Sequence, residues 1–449
     1  MSPSVSGSEV RPVYAWYVVA VLHLATLGLA VNVRIFTLVI EPIRSHFGVG
    51  DTAIGLLIGL GFALFSALSG LVLGRLADRF QRAAILLWST VLFSLCGTAG
   101  GLVSTFALLF MTRVGVGVGR GGLLPAGSSL LSDYFPPERR GLAISVVMTG
   151  NRLGAGLALL VGGVLLGILS GDAPLRLPLV GVLVPWQGAL VVAGLPGLAV
   201  ALLLKTTVRE PLRRDDTRVG RAAASDEAYA WSSIRAYLRA NRTTVGILGA
   251  AVGLFFLGTI GSGVWLPTFL IRTYGWTAQQ AGVSFGLVLL VTATLGTLAG
   301  GRLTVYLAAR GYEDANVRVL LYALIGLVPC RLLYPFMPTG ELALAVLAPT
   351  LFLVSLPLGT LPAAVQNIFP NRMRAFATAV YALLVNLIGM GLGPPLIALT
   401  TDYLFQDPAA LRYSLALVGP VTTALSLYFA ARGLAPFRQS KTYAQTWKP

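Results

Sequence analysis

Gly74-Arg75-Leu76-Ala77-Asp78-Arg79-Phe80-Gln81-Arg82 is followed 227 residues later by Gly301-Arg302-Leu303-Thr304-Val305-Tyr306-Leu307-Ala308-Ala309-Arg310. Each is a charged knot between long apolar runs. A second pair, DYFPPERRG at 133–141 and NIFPNRMRA at 367–375, recurs at an offset of 234 residues. Two unrelated landmarks at nearly one spacing argue for a duplicated unit. Two such units facing each other enclose a cavity at mid-membrane. Composition agrees. Of 449 residues, 56% are apolar and 11% charged, with a mean hydropathy of +0.80. A soluble domain carries roughly 25% charged residues, so this chain must present apolar surface to lipid.

Working outward from the knots, apolar runs long enough to cross a bilayer lie at about 14–39, 52–77, 83–103, 106–131, 141–168 and 186–204, then 243–270, 278–304, 317–337, 341–366, 375–400 and 409–432. The expected architecture is an all-α polytopic membrane protein of twelve transmembrane helices in two pseudo-symmetric six-helix halves. Residues 1–13 form an N-terminal segment, 14–204 the first half, 205–242 a central loop, 243–432 the second half and 433–449 a tail. Ser225 to Leu238 reads as a short surface helix, with Ser225, Asp226 and Glu227 at its start. The connection at 169–185 is longer than expected. One face of the spans carries 24 Lys and Arg in its loops and ends, the other only Arg44, Arg176, Arg272 and Arg412. That asymmetry predicts both termini in the cytoplasm and residence in the inner, or plasma, membrane. It also accounts for the net charge of +16 without nucleic acid. The first 13 residues show no removable signal peptide pattern. Cys96 and Cys330 lie inside apolar runs, as small hydrophobes rather than a disulfide.

The stretch from Gly74 to Arg79, with Arg82 after it, resembles the loop 2–3 signature of the major facilitator superfamily. Arg113-Val-Gly-Val-Gly117-Val-Gly119 resembles that superfamily's span 4 signature. Glu41-Pro42-Ile43, Asp51-Thr52, the run at 117–141 and Asn386-Leu-Ile-Gly-Met-Gly-Leu-Gly-Pro394 are similar to bacterial spinster-like members. The resemblance covers nearly the whole chain. It implies the major facilitator fold, transport by alternating access, a cytoplasmic clasp of Gly74, Asp78, Arg79 and Arg82 that latches the halves in one state, and a bracing role for Arg113. The second copy has Val305 in place of the acid, so one clasp is expected. Gln81 replaces the signature's second Gly, which alters the turn but not the charges. The chain departs from spinster-like members where they tend to carry acids: span 1 reads Val31-Asn32-Val33-Arg34, and the span 4 position is Arg120.

Arg34, Arg113, Arg120, Arg152 and Arg331 fall inside spans, and no Asp or Glu lies deep in any of them. Each buried Arg costs about 2.5–3.5 kcal/mol on insertion scales. Carbonyls, water or an anionic substrate must offset that. Arg120 lies about 14 residues into span 4, roughly 21 Å along the axis, and Arg152 about 12 residues into span 5, roughly 18 Å. Both are near the midplane. The planar, permanently charged guanidinium suits carboxylate, phosphate or sulfonate. Arg120 and Arg152, assisted by Arg34, are therefore the candidate substrate-binding groups; bracing of helices through carbonyls is the competing reading. Asn151 and Asn386 either orient a substrate or join helices. Arg331 reads as a rim residue extending to the interface. His23 and Asp78 are the groups able to carry a proton, though His23 also suits plain packing. The glycines of spans 4 and 5 read as close-packing faces.

These residues favour a secondary active or facilitative transporter of a small organic anion. With no acid at depth, anion exchange, facilitated diffusion, and symport through His23, Asp78 or the substrate all remain. The alternative is a spinster-like exporter of lysolipid or amphipathic drug. No nucleophile–base set, metal-ligand cluster or nucleotide loop stands at depth, so neither enzyme chemistry, a metal nor a cofactor is expected. The expected partners are the anionic substrate and the lipid bilayer, with the chain a monomer.

Overall fold

The computed structural model describes residues 12–171, 175–177, 181–211, 231–370 and 373–447. Twelve helices in it are long and apolar enough to cross a membrane. Spans 1 to 6 are Pro12–Leu38, Asp51–Ala77, Arg82–Ala99, Phe106–Tyr134, Arg139–Leu169 and Pro185–Thr207. Spans 7 to 12 are Arg242–Tyr274, Ala278–Ala309, Ala315–Phe336, Gly340–Asn367, Phe376–Phe405 and Pro408–Thr446. Cys96 and Cys330 are free thiols.

Several elements differ in detail from the expectation. Span 1 is helical to Ile35, tightens into a 3-10 turn at Phe36–Leu38, and passes into a short helix, Ile40–Phe47. Gly48, at φ 62°, stops that helix in the left-handed region where a side chain is disfavoured. The long connection after span 5 contains a small antiparallel ribbon pairing Leu175–Leu177 with Gly181–Leu183. The expected helix at 225–238 appears as Trp231–Ala240; residues 225–230 lie outside the described residues. The tail at 433–449 is no separate segment up to Thr446, because the last helix runs from Leu411 to Thr446 without a break.

The helix after the central loop is tied to the second half. The Tyr237 hydroxyl donates to the Ile368 carbonyl at 2.5 Å, and its ring stacks on Tyr443. Burial, with Tyr443 beside it, raises the Tyr237 phenol above its ordinary pKa, so it stays neutral as a donor.

The arrangement of apolar cores locates the cleft. One core of the first half joins Val18, Phe93, Leu130, Tyr134 and Leu204. One of the second half joins Tyr237, Phe255, Leu324 and Phe437. Both lie toward the central-loop end. At the opposite end a single core is built from both halves, with Phe36, Ile54 and Trp186 against Trp265, Phe269, Phe285 and Ile397. Apolar side chains bury where water is excluded. The halves are thus fused at the distal end and keep separate interiors at the central-loop end.

Two helix crossings make that fusion, span 5 against span 8 and span 2 against span 11. In the first, a methyl added at Gly282 would meet the Leu159 carbonyl at 2.7 Å and the Gly163 Cα at 2.8 Å. Span 2 kinks at Gly59, where a methyl would lie 2.8 Å from Pro395 and 2.9 Å from the Gly391 carbonyl. Only hydrogen at these positions lets the backbones approach so closely.

Candidate functional site

Arg120 projects from span 4 toward the other half. Its Nη1 donates to Asn386 Oδ1 at 3.2 Å and lies 3.6 Å from Met390 Sδ, both on span 11. The guanidinium stands 5.3 Å from the Phe62 ring centroid. Asn386 sits within a π-helical stretch, Leu384–Leu392, a wider turn that frees backbone and re-aims side chains. Its own amide donates to the Ala382 carbonyl at 2.8 Å, which fixes Oδ1 toward Arg120. Arg34 lies near enough to repel Arg120 electrostatically.

Arg152 projects from span 5 and reaches Thr297 Oγ1 on span 8 at 3.5 Å, with Tyr381 of span 11 as an electrostatic neighbour. Asn151 beside it is exposed. Both mid-membrane arginines thus touch the facing half through neutral groups. Among the described residues, no ion pair holds Arg34, Arg113, Arg120, Arg152 or Arg331. A cation with only neutral dipoles around it is incompletely compensated in a low dielectric.

The remaining candidates fall elsewhere. Arg331 is 3% exposed and so is no rim residue. It braces spans 7, 9 and 12 through Thr259 Oγ1 at 2.8 Å, Thr423 Oγ1 at 2.6 Å and the Gly419 carbonyl at 3.2 Å. Arg113 is equally buried and lies under the Phe36 ring at 4.1 Å. His23 Nδ1 is 2.8 Å from the Val146 carbonyl, joining span 1 to span 5, and the residue packs against Gly150. That carbonyl can only accept, so Nδ1 is the donor of this bond.

At the central-loop end, Gly74 packs near Pro125, Arg75 and Arg79 are exposed, and the Asp78 side chain lies outside the described residues. Arg82 bonds Asp133 at the end of span 4 and Glu210 after span 6, the latter at 2.8 Å. Glu210 also accepts from the Ala83 amide at 2.8 Å, capping the start of span 3. Its described partners belong to the first half and the segment just after it. Arg82→Ala is expected to lower unfolding stability by about 3 kcal/mol, since the buried Asp133 loses that cation. Thermal unfolding in a double-mutant cycle with Asp133→Asn measures it; strictly additive effects would count against the coupling.

The sequence reading missed the densest charge cluster, at the distal end. Arg272, closing span 7, bonds Asp51 through Nη1 at 2.6 Å and Nη2 at 2.7 Å, and Glu41 through Nε at 2.6 Å. Arg44 adds Glu41 at 2.9 Å and Asp51 at 3.4 Å. Asp402 of span 11 accepts the amides of Asp51 at 3.3 Å and Thr52 at 2.7 Å, capping span 2 from the other half. Asp51 is fully buried. Arg272 counted in sequence only as a loop charge. The available signal was two acids, Glu41 and Asp51, between spans 1 and 2, at the same end of the spans as a lone Arg ending span 7.

Comparison with known proteins agrees with this architecture. The sequence matches the Major Facilitator Superfamily over residues 22–436. An MFS-type efflux pump of Mycolicibacterium smegmatis is 28% identical over 403 residues, covering 89% of this chain and 87% of that protein. A sphingosine-1-phosphate transporter of Danio rerio is 26% identical over 422 residues, covering 88% and 79%. Among solved structures, a bacterial homologue of the human lysosomal transporter Spinster, inward-facing and unoccupied, superposes with a TM-score of 0.76 at 25% identity, covering 97% of this chain and 99% of that one. Twelve spans and a match across nearly the whole sequence make this chain a member of the major facilitator superfamily, a family of membrane transporters and not of enzymes.

Proposed function

We propose that the protein carries a small organic anion of carboxylate, sulfonate or phosphate type across the plasma membrane by alternating access. The anion is held between Arg120 and Arg152, with Arg34, Asn151 and Asn386 orienting it. The observation that carries this reading is the reach of Arg120 from the first half to Asn386 of the second, with no carboxylate paired to it. An anion placed there supplies the missing charge and draws the two halves together. The excess of Lys and Arg in the loops of one face supports cytoplasmic termini. On that orientation the cleft opens inward and the Arg272 cluster seals the outer end. Coupling through anion exchange or facilitated flux is favoured over a proton relay. Arg does not titrate in the physiological range, and His23 Nδ1 is engaged with the Val146 carbonyl.

One observation favours a second reading. The relative from Danio rerio is named for a phosphate-headed lipid, and an arginine pair suits such a headgroup as well. The two readings separate in a thermal-unfolding panel of the purified protein against mono- and dicarboxylates, sulfonates, phosphates, anionic lysolipids and cationic drugs. A ligand at 100 times its dissociation constant adds about 2.7 kcal/mol. Stabilisation by a small anion, followed by its flux in proteoliposomes, is the expected result. Stabilisation by lysolipid or cationic drug alone replaces this reading with the exporter.

A further inference from the structure

Arg113 differs from the other buried arginines. It is 3% exposed, and both Nε and Nη2 are buried with no hydrogen-bond partner among the described residues. These two nitrogens lie on one edge of the guanidinium. Together they form the planar fork that grips a carboxylate or a single halide. Arg331, equally buried, has that need met by two threonines and a carbonyl. Against the Arg113 guanidinium lies the Phe36 ring, its centroid 4.1 Å from the guanidinium carbon. An aromatic face attracts a cation but accepts no in-plane hydrogen bond. One helical turn before Phe36, on the same face of span 1, Asn32 is 2% exposed and its Oδ1 also lacks a partner. The Asn32 side chain packs against Gly97 of span 3, so this part of span 1 is polar, buried and unfinished.

Phe36 is held in place from the other half. Its 3-10 turn packs against spans 7 and 8 and belongs to the core shared by both halves at the distal end. When the halves part at that end, spans 7 and 8 leave Phe36 and the ring loses its backing. We propose that Arg113 is an anion receptor of the outward-open state, capped by Phe36 while the outer end is closed. It takes the anionic group arriving from outside and passes it to Arg120, seven residues further along span 4 on the same face. The assignment rests on the anion reading of the cleft. The ligand is a planar oxyanion or a halide. The head group of the transported molecule and a free inorganic ion share that chemistry.

A ligand that binds only a minor conformer has its affinity reduced by that conformer's population. Removing the cap therefore strengthens binding. The experiment titrates the full-length protein with sodium formate and with sodium chloride, at constant ionic strength against gluconate, reading thermal unfolding. Phe36→Leu is expected to bind at least one of the two probes tenfold or more tightly than wild type, and Phe36→Leu/Arg113→Gln to lose that gain. Should Arg113→Gln not fold, Arg113→Lys keeps the charge without the fork and is expected to lose tenfold in the Phe36→Leu background. Formate preference marks the head group as the ligand; chloride preference marks an inorganic ion. A gain that survives both Arg113 substitutions, or no gain in Phe36→Leu, overturns the receptor. If Arg120→Ala removes all anion binding while Arg113→Gln removes none, the cleft reading stands and this one falls. Absence of any anion effect, in wild type and variants alike, overturns both.

Discussion

Arg272→Ala unseals the distal end of the protein. Arg272 is the one described cation bonded to both Glu41 and Asp51 from the opposite half, and Asp51 has no exposed surface. Without it, Asp51 keeps, among the described cations, only Arg44 at 3.4 Å. Removing one partner of a buried ion pair costs about 3–5 kcal/mol, because the other charge is left desolvated. Opening that end rehydrates Asp51, so the penalty falls mainly on the closed form. The ratio of open to closed should rise by about two to three orders of magnitude, at roughly 1.4 kcal/mol per decade. Maleimide labelling of Thr52→Cys, in a background without Cys96 and Cys330, reads this directly. Labelling should accelerate by at least tenfold in Arg272→Ala and by less in Arg272→Lys, which keeps a charge but cannot grip two carboxylates. An unchanged labelling rate in folded Arg272→Ala would sink the idea that this cluster holds the end shut. Asp402→Asn is a milder case: a neutral amide oxygen still accepts from the Thr52 amide, and of the two carboxylates at the span 2 N-terminus only that of Asp402 is gone.

The second large effect has two opposite signs. Arg120→Met should weaken binding of the transported anion by about 2–5 kcal/mol, the cost of truncating one side of a buried charge pair. The same substitution should make the ligand-free protein more stable. Arg120 meets Asn386 and Met390, both neutral, and is repelled by Arg34. Relieving that uncompensated charge recovers up to about 2.5–3.5 kcal/mol on insertion scales. Arg152→Met should follow with smaller changes, because Arg152 is more exposed and holds Thr297 only at 3.5 Å. Ligand titration and thermal unfolding of the same preparations measure both signs. A variant that loses stability along with affinity would identify Arg120 as a brace between the halves rather than a ligand group. The distinction matters because sequence alone left those two roles side by side.

How much was legible follows from the range of each force. Crossing hydrocarbon needs about 20 apolar residues that satisfy their own backbone bonds. That requirement is local, so twelve spans could be read from composition along the chain. The duplicated knots at 74–82 and 301–310 are local as well, and they placed the division into halves. The arginine inventory was equally plain, because an Arg within an apolar run stands out wherever it ends up. Helix ends were less certain. Span 1 tightens at Phe36–Leu38 and span 11 widens over Leu384–Leu392. In span 11 Gly389, Gly391, Gly393 and Pro394 loosen the helix locally; no such residue stands at Phe36–Leu38, where the turn packs against spans 7 and 8.

The roles of the charges were a different matter. Arg331 and Arg113 look alike in sequence, each a single Arg among apolar neighbours. One is braced by Thr259 and Thr423, and the other lies against the Phe36 ring with Nε and Nη2 unpartnered among the described residues. Arg82 belongs to the Asp78 motif by its position, yet its described acidic partners are Asp133 and Glu210. Asp51 and Arg272 stand 221 residues apart and meet only because the two halves dock at the distal end. Hydrophobicity is additive along a chain, so span number and division were readable from residue order. Ion pairing depends on distances of a few ångströms between segments remote in sequence. Which arginine is paired, which is braced and which is left open was therefore decided only when the helices packed.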